Sequence, residues 1–200
     1  MHGKDYAIAA FIAGALSASE ARALSLASPD VAEGGRIAEE QVFNGGDCRG
    51  QDVSPALDWS GAPAGTKSFA VSMFDPDAAG FWRRAENFVV GLIDSDPSAR
   101  SGFWHWWIVH IPSETASLSK GAGKATALPA GAVQLRNNFG AVGYDGPCPP
   151  KGQPHHYEIT VYALDVDKLD VDENTPPAIV ASQVRRHTLA KATLVGLWGR

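Results

Sequence analysis

Two adjacent histidines, His155 and His156, stand where a proline-rich stretch meets an alternating one. The stretch "GPCPPKGQP" (146–154) contains four prolines, and each proline holds φ at about −65° and removes a backbone donor. An imidazole at the end of such a stiff loop is held with little loss of entropy, as a binding or proton-transferring group requires. The pattern indicates a chemical site at this junction, although either histidine could instead lie on the surface at the start of a strand.

The residues after the histidines predict a β-strand with two different faces. Apolar and polar-leaning side chains alternate from residue 157 to residue 164, with the period of two that a strand requires. One face carries Tyr157, Ile159, Val161 and Ala163, and the other carries Glu158, Thr160, Tyr162 and Leu164.

Two further stretches carry groups that could act with these histidines. "TKSFAVSMFD" (66–75) predicts a strand that runs into the turn "DPDAAG", which holds Asp75 and Asp77. "GFWHWWIVHIP" (102–112) predicts a second strand, which carries His105 and is ended by Pro112. Histidines and carboxylates together are compatible with proton transfer, but no serine or cysteine has a spacing that ties a nucleophile to them.

The remaining patterns predict a mostly β protein with one late helix. Glycine (21) and proline (13) are plentiful and six tryptophans are present, a balance that favours turns and sheets over long helices. A helix is predicted over 174–192, capped by Asn174 or Thr175, and "ATLVGLW" (192–198) predicts a final strand. Strands joined by loops, with a single helix, indicate an all-β sandwich.

Length and charge limit the classes of function. Two hundred residues with 44% hydrophobic content are enough for one well-packed domain, which we place at 24–200. The net charge of −5 and the scattered lysines and arginines argue against nucleic acid as a partner, because affinity for a phosphate backbone needs a concentrated basic surface.

The segment 1–23 has the features of a secretory signal peptide. It combines a positive start at Lys4, an apolar core that ends at Leu16, and an Ala-x-Ala arrangement at Ala21 and Ala23. We therefore expect cleavage after Ala23 and a periplasmic or secreted mature protein; the alternative is an N-terminal extension of a cytoplasmic protein. No transmembrane segment is expected, because no stretch approaches the roughly 20 apolar residues that span a bilayer.

The two cysteines lie in loops, Cys48 in "NGGDCRGQDVSP" and Cys148 in "GPCPP". In an oxidising compartment they would form one disulfide that closes a long loop. Two alternatives stay open at this point: a metal site completed by histidines, and a catalytic Cys148, for which "PCPP" supplies no helix N-terminus or neighbouring cation. We expect the disulfide, with no bound metal or cofactor.

Four stretches in a defined order give the chain a family resemblance. They are "CRGQDVSPALDWSGAPAGTKSFAVSMFDPDA", "GFWHWWIVHIP", "LPAGAVQLRNNFGAVGYDGPCPPKGQPHHYEITVYALD" and "LDVDENTPPAIVASQV". Together they resemble the phosphatidylethanolamine-binding protein family, in its bacterial Raf kinase inhibitor-like branch. The resemblance implies a Greek-key antiparallel β-sandwich with a short C-terminal helix and a small anion-binding pocket. It also implies ligand binding or inhibition of other proteins, rather than established catalysis.

Matched position by position, the resemblance implies which residues form that pocket. Of the adjacent histidines, His155 matches because it stands two residues before Tyr157, which leaves His156 as the bystander. The implied ligands are phosphate-like anions and phosphorylated or phospholipid head groups, whose oxygens accept from imidazole, hydroxyl and amide donors. The implied ligand-binding residues are Asp75, Asp77, His105, Gly146, Pro149, His155 and Tyr157.

The aspartates need a separate explanation, because a bare carboxylate repels a phosphate. In one interpretation an aspartate accepts a hydrogen bond from His105 or His155 and favours its charged form. In the other an aspartate faces the ammonium of an ethanolamine-type head group.

The chain departs from the family pattern between the "DPDA" and "WHW" motifs. Ala79 stands where the motif normally has proline, and an insert at about residues 80–101 could reshape the mouth of the pocket. The insert contains Asp94 and Asp96, which compete with the aspartates of "DPDA"; we prefer the latter for their spacing from "SPALDW" and "GTKSFAV".

Three classes of function follow from these observations. We expect an exported binding protein for phosphate-bearing or phospholipid head-group ligands. The second class is a regulatory protein that inhibits a kinase or protease through its surface loops, with a protein target or a homodimer as partner. The third is a hydrolase that uses His105 and His155 for acid–base work.

Overall fold

The structure is a computed structural model that describes residues 23–80, 102–124 and 128–200. Nearly all of the expected signal peptide, the insert with Asp94 and Asp96, and residues 125–127 lie outside the described residues. The first strand begins at Ser25, two residues after the expected cleavage point.

The described residues form two antiparallel β-sheets. The smaller sheet has the strand order β1–β2–β5 and the larger sheet has the order β6–β4–β3–β7–β8. Every pair of neighbouring strands is antiparallel. The strands are β1 Ser25–Ala27, β2 Leu57–Ser60, β3 Ser68–Asp75, β4 Phe103–Pro112, β5 Ser117–Leu118, β6 Val133–Gln134, β7 His155–Leu164 and β8 Thr188–Trp198. Short 3₁₀ turns cover Glu39–Gln41 and Asp77–Gly80, and the helix α1 covers Pro177–His187.

The main core lies between the two sheets, and a second core lies on the outer face of the larger sheet. The two faces predicted for β7 explain why there are two separate cores. Its apolar face, from Tyr157 to Ala163, packs into the core between the sheets. Its other face contributes Leu164 to the second core, where Val180 and Val184 of α1 cover the sheet. The expected all-β fold, with antiparallel sheets and a single short helix, is confirmed.

The boundaries and the cap of the helix differ from the prediction. The helix begins at Pro177, and the residue before it, Pro176, makes no side-chain cap. Thr175 does not cap the helix, because its hydroxyl instead accepts a hydrogen bond from the amide of Asp172 at 2.9 Å. The helix ends at His187 rather than at residue 192, since residues 188–198 pair along β7 and the ladder of hydrogen bonds outweighs local helix propensity.

A disulfide joins Cys48 to Cys148, with the two Cα atoms 6.0 Å apart. The prediction of a disulfide is confirmed, and neither thiol is available as a metal ligand or nucleophile in this oxidised chain. The bond connects the loop after β1 to the proline-rich loop before β7, which are 100 residues apart. Within the described ranges, no helix has the length and apolar character needed to cross a bilayer.

Candidate functional site

A cavity of about 620 Å³ opens at one end of the larger sheet. The antiparallel order brings three strand ends together there, because the last residue of β3 pairs with the first residue of β4, and the start of β7 lies beside the same end of β3. The proline-rich loop and the residue after β8 complete the wall. The described lining residues are Asp75, Asp77, Ala78, Phe103, His105, Phe139, Cys148, Pro149, Pro150, His155, Tyr157 and Arg200.

The structure brings six of the seven predicted pocket residues to this cavity: Asp75, Asp77, His105, Pro149, His155 and Tyr157. Their role in binding a ligand stays a prediction. Gly146 is not among the described lining residues. Its amide donates to Asp52 Oδ1 at 2.7 Å, and a Cβ atom at this position would lie 2.0 Å from the carbonyl oxygen of Gln41. Glycine is therefore required at residue 146 for close backbone packing.

Asp75 holds His155 and the turn that follows β3. Its Oδ2 accepts a hydrogen bond from His155 Nδ1 at 2.7 Å, and its Oδ1 accepts from the amides of Asp77 and Ala78 at 2.9 and 3.1 Å. A carboxylate only accepts, so Nδ1 of His155 carries a proton. The side chain of Asp75 is 4% exposed and that of His155 is 18% exposed. Protein donors thus occupy both carboxylate oxygens of Asp75.

Asp77 is held by His156, the residue expected to be a bystander. Asp77 Oδ2 accepts from the amide and from Nδ1 of His156 at 2.7 and 2.8 Å. Partial burial raises the pKa of Asp77, but the donors of His156 outweigh it, so the pKa lies below its usual value. Both side chains are exposed, and His156 is not among the described lining residues. His156 acts on the rim by fixing Asp77, which is a contact that the sequence did not indicate.

His105 is a buried, neutral imidazole. Its Nδ1 donates to the carbonyl oxygen of Asp145 at 2.8 Å, since a carbonyl can only accept. Burial lowers the pKa of His105, and the carbonyl of Asp145 opposes this shift without cancelling it. The neutral ring with its proton on Nδ1 leaves Nε2 as an acceptor. From the sequence we expected His105 to donate a hydrogen bond to a ligand. The sequence did not show that the carbonyl of Asp145 already accepts from Nδ1, which leaves Nε2 as an acceptor.

Tyr157 brings an unpartnered hydroxyl to the cavity. The residue is fully buried, and its hydroxyl makes no hydrogen bond of normal geometry with any described residue. Burial raises the pKa of Tyr157 far above its usual value, and the nearby charge of Asp75 adds to the effect. The hydroxyl therefore keeps its proton, and the side chain of Asp75 lies close enough to interact with it.

Aromatic rings pack against these polar groups and form part of the cavity wall. Phe139 stacks on Phe43 with ring centroids 4.8 Å apart and meets the edge of Phe103 at 4.6 Å. The imidazole of His105 lies 4.8 Å from Phe103 and 5.3 Å from Tyr157. The rings exclude water from one side of the cavity and offer apolar surface to a ligand. Phe103 and Phe139 both lie within stretches quoted for the family resemblance, but neither was predicted as a pocket residue.

Arg200 also lines the cavity, and the sequence did not single it out. Its Nε donates to the carbonyl oxygen of Pro149 at 2.7 Å, and Nη1 lies 3.7 Å from Asp47 Oδ2. The predicted final strand could have indicated Arg200. A strand that runs antiparallel to the whole of β7 ends near His155, so the residues that follow it lie near the cavity. Among the described residues, no three histidine, cysteine, aspartate or glutamate side chains are grouped as metal ligands.

Comparison with known proteins agrees with this fold. The sequence model of the family described as "Phosphatidylethanolamine-binding protein" matches residues 27–199. UPF0098 protein YbhB of Escherichia coli is 40% identical over 176 residues, which cover 88% of this chain and 99% of YbhB. UPF0098 protein YbcL of the same organism is 39% identical over 183 residues, 90% of each chain. The crystal structure of YbcL, described as a new member of the mammalian PEBP family, matches with a TM-score of 0.77 over 90% of this chain and 99% of YbcL. The chain belongs to the phosphatidylethanolamine-binding protein family.

Proposed function

We propose that the cavity binds a phosphate-bearing small molecule or a phospholipid head group, and that the protein acts by binding rather than by catalysis. The observation that carries this proposal is the hydroxyl of Tyr157, which is buried at the cavity without a partner among the described residues. A buried donor without an acceptor costs about 1–3 kcal/mol. A ligand oxygen at this position would recover that cost.

The polar groups of the cavity match a phosphoryl group that retains one proton. Tyr157 donates, and His155, held at Nδ1 by Asp75, keeps Nε2 for a ligand. The neutral His105 accepts at Nε2, so it suits a P–OH group rather than a bare oxygen. The phosphate monoanion presents both kinds of group near neutral pH, and so does the minor monoanionic form of a phosphomonoester, whose second pKa is about 6.

The contacts of Asp75 favour one of the two interpretations of the aspartates. Its Oδ2 is bonded to His155, and its Oδ1 accepts two turn amides. An ammonium group could reach only the remaining acceptor site of Oδ2, on a side chain that is 4% exposed. The contacts therefore support a role for Asp75 in orienting His155, and not in direct recognition of an ethanolamine-type head group.

The size and walls of the cavity favour an organic phosphate. Its volume of about 620 Å³ lies within the range of about 300–1,000 Å³ that is typical of small-molecule sites. Phe103 and Phe139 supply an apolar wall for the organic part of a ligand.

The side chains also support binding over hydrolysis. The described lining contains no serine or threonine, and Cys148 is bonded to Cys48. Covalent catalysis through one of these usual nucleophiles thus has no candidate among the described lining residues.

Export belongs to the same proposal, with 1–23 as the signal peptide. The disulfide supports it, because such bonds persist mainly in oxidising compartments. A Mycobacterium tuberculosis relative, 33% identical over 180 residues, bears the provisional name of a lipoprotein, LppC, which also agrees with export.

Two measurements on the purified oxidised protein test the proposal. Mass spectrometry of the small molecules released on denaturation should find a reproducible phosphorylated compound. In phosphate-free buffer, added inorganic phosphate or phosphoethanolamine should raise the melting temperature, and His155→Ala and His105→Ala should reduce the increase.

His187→Ala is the matched control, because His187 is a histidine paired with an exposed aspartate, Asp165, outside the described lining. The proposal fails if no phosphorylated compound is released and neither compound stabilises the wild-type protein at millimolar concentration. Turnover of p-nitrophenyl phosphate that His105→Ala abolishes would instead support a hydrolase.

A further inference from the structure

We propose that Arg200 supplies the positive charge that holds the phosphoryl group of the ligand in this cavity. This inference rests on the proposed function and adds the group that recognises the anion. Without Arg200, the charges of the residues that line the cavity do not favour an anion.

The other ionisable groups of the described lining leave the cavity without a net positive charge. Asp75 and Asp77 each carry a carboxylate, and each is paired with a histidine, His155 and His156 respectively. Burial lowers the pKa of His105, so this ring stays neutral. A phosphate monoanion or dianion that entered such a cavity would meet two carboxylates and at most one cation inside it.

Arg200 changes that balance. It is the only lysine or arginine among the lining residues that the structure describes. A guanidinium keeps its charge at every physiological pH and can donate two parallel hydrogen bonds to phosphate oxygens. Its side chain is 20% exposed, so its attraction for an anion is screened less than that of a fully exposed lysine.

The two protein contacts of Arg200 position the guanidinium without neutralising it. Nε donates a hydrogen bond to the carbonyl oxygen of Pro149, a group that carries no net charge. The one carboxylate close to Arg200 in the described residues, that of Asp47, lies 3.7 Å away and is 86% exposed, and such surface pairs are weak. Nη2 has no partner in the described part of the chain, so its two donors remain available to a ligand.

Strand pairing and the disulfide explain why Arg200 lies at the cavity. In the register of β7 and β8, Trp198 is opposite His155, and Arg200 follows two residues later. Asp47 and Pro149, which contact Arg200, are the immediate neighbours of Cys48 and Cys148. The disulfide therefore holds together both segments that place the guanidinium.

Inorganic phosphate is the probe for the test, and the oxidised protein is titrated by calorimetry at several salt concentrations. Arg200→Gln should weaken the binding of phosphate at least tenfold and should flatten the salt dependence of the dissociation constant. Arg200→Lys keeps a point charge without the bidentate fork, so it should recover part of the affinity and the salt dependence. A merely structural role of the contact with Pro149 would not predict rescue by lysine.

Lys151→Gln is the matched control, because it removes one positive charge from the same loop, at an exposed residue outside the described lining. It should change phosphate affinity less than twofold. Melting in phosphate-free buffer checks that each variant is folded.

The outcomes separate this inference from the proposed function. If wild type binds phosphate and Arg200→Gln binds it within twofold, with the same salt dependence, the role of Arg200 is refuted and the proposed function stands. An equal loss of affinity in Lys151→Gln and Arg200→Gln would also refute it, since the effect would then be one of net charge. If wild type binds neither phosphate nor any phosphorylated compound, the proposed function fails and this inference fails with it.

Discussion

His155 Nδ1 lies 2.7 Å from Asp75 Oδ2, so the first residue of β7 is tied to the last residue of β3 at the cavity. The contact sets the proton of the imidazole on Nδ1 and directs the other ring nitrogen away from the carboxylate. Asp75 is itself fixed by the two amides of the turn that follows it. The pair is therefore preorganised, and most of its effect on a ligand should act through His155.

Asp75→Asn should weaken the binding of inorganic phosphate about fivefold. The change replaces a charge-assisted hydrogen bond to His155 with a neutral one, a difference of about 1 kcal/mol. The asparagine oxygen can still accept the turn amides, so the fold should be retained, and the amide nitrogen then donates to Nδ1 of His155, which can no longer carry a proton. Calorimetric titration with phosphate and with phosphoethanolamine measures the effect, and both compounds should lose affinity equally.

Asp165→Asn is the control for that substitution, because Asp165 is an exposed aspartate paired with a histidine, His187, outside the described lining. It should leave phosphate binding nearly unchanged. A loss confined to phosphoethanolamine in Asp75→Asn would show that Asp75 faces an ammonium group, contrary to the orienting role.

Tyr157→Phe should lower phosphate affinity while leaving the free protein as stable as wild type, or more stable. The hydroxyl makes no hydrogen bond of normal geometry and only interacts with Asp75, so its removal relieves a poorly satisfied buried donor worth about 1–3 kcal/mol. Affinity for phosphate should fall about fivefold to tenfold, as one hydrogen bond to the anion is lost. Urea denaturation and calorimetry measure the two effects separately.

Tyr144→Phe should lower the stability of the protein and leave its phosphate affinity unchanged, which is the reverse of Tyr157→Phe. The hydroxyl of Tyr144 donates to the carbonyl of Gln41 at 2.8 Å, so its loss should cost about 1 kcal/mol of stability. Tyr144 is not among the described lining residues, and phosphate affinity should not change. If Tyr157→Phe destabilises the free protein as much as Tyr144→Phe does, the hydroxyl of Tyr157 has a protein partner and is not free for a ligand.

The double variant Cys48→Ser, Cys148→Ser should lose about 3–5 kcal/mol of unfolding free energy. The bond joins residues 100 positions apart, and the chain-entropy account assigns about 4.7 kcal/mol to a loop of that length. Urea denaturation of the variant should agree with that of wild type under a reducing agent. A loss below about 1 kcal/mol would show that the bond constrains the unfolded chain far less than the loop length implies.

His105 should make the folded state less stable in mild acid. Burial lowers its folded-state pKa below the ordinary value of 6.5, so the unfolded chain binds a proton that the folded chain rejects. Stability from the neutral ring is complete above about pH 6.5 and is lost as the pH falls from there towards the folded-state pKa. Because a single proton is involved, the unfolding free energy can fall by at most about 1.4 kcal/mol for each pH unit.

Urea denaturation at pH 7.5 and pH 5.5 measures this effect as the difference between wild type and His105→Gln. The variant should lose less stability between the two pH values. His110 also has a pKa lowered by burial, so wild type alone would not isolate His105, whereas the comparison does. Equal losses in the two proteins would show that His105 is not responsible for the acid sensitivity.

Several parts of the fold could be predicted because they depend on local patterns. The alternation after Tyr157 predicted both faces of β7, and the apolar run that ends at Asp75 predicted β3. The helix was predicted in the correct region but too long, because pairing with β7 draws residues from 188 onward into β8. The disulfide was predicted from two loop cysteines in a chain that we expect to be exported.

The contacts of the site could be predicted less well. Motifs selected Asp75, His105 and His155, but not the carbonyl that occupies Nδ1 of His105 or the pairing of His156 with Asp77. These contacts join residues 40 and 79 positions apart, and no local pattern encodes which atoms meet. Gly146 was assigned to the pocket because it lies in the proline-rich motif, whereas the backbone of Gln41 packs against it from behind.

The sequence alone determined the class of fold, the family, the cysteine pair and the residue types that reach the cavity. Periodicity, proline positions and ordered motifs are properties of the chain, so they can be read before it folds. Only the tertiary structure decided which of these groups donate, which accept and which are neutral. It also brought Arg200 beside His155 and Pro149, because antiparallel pairing of β7 with β8 places residues distant in the chain at one end of the sheet.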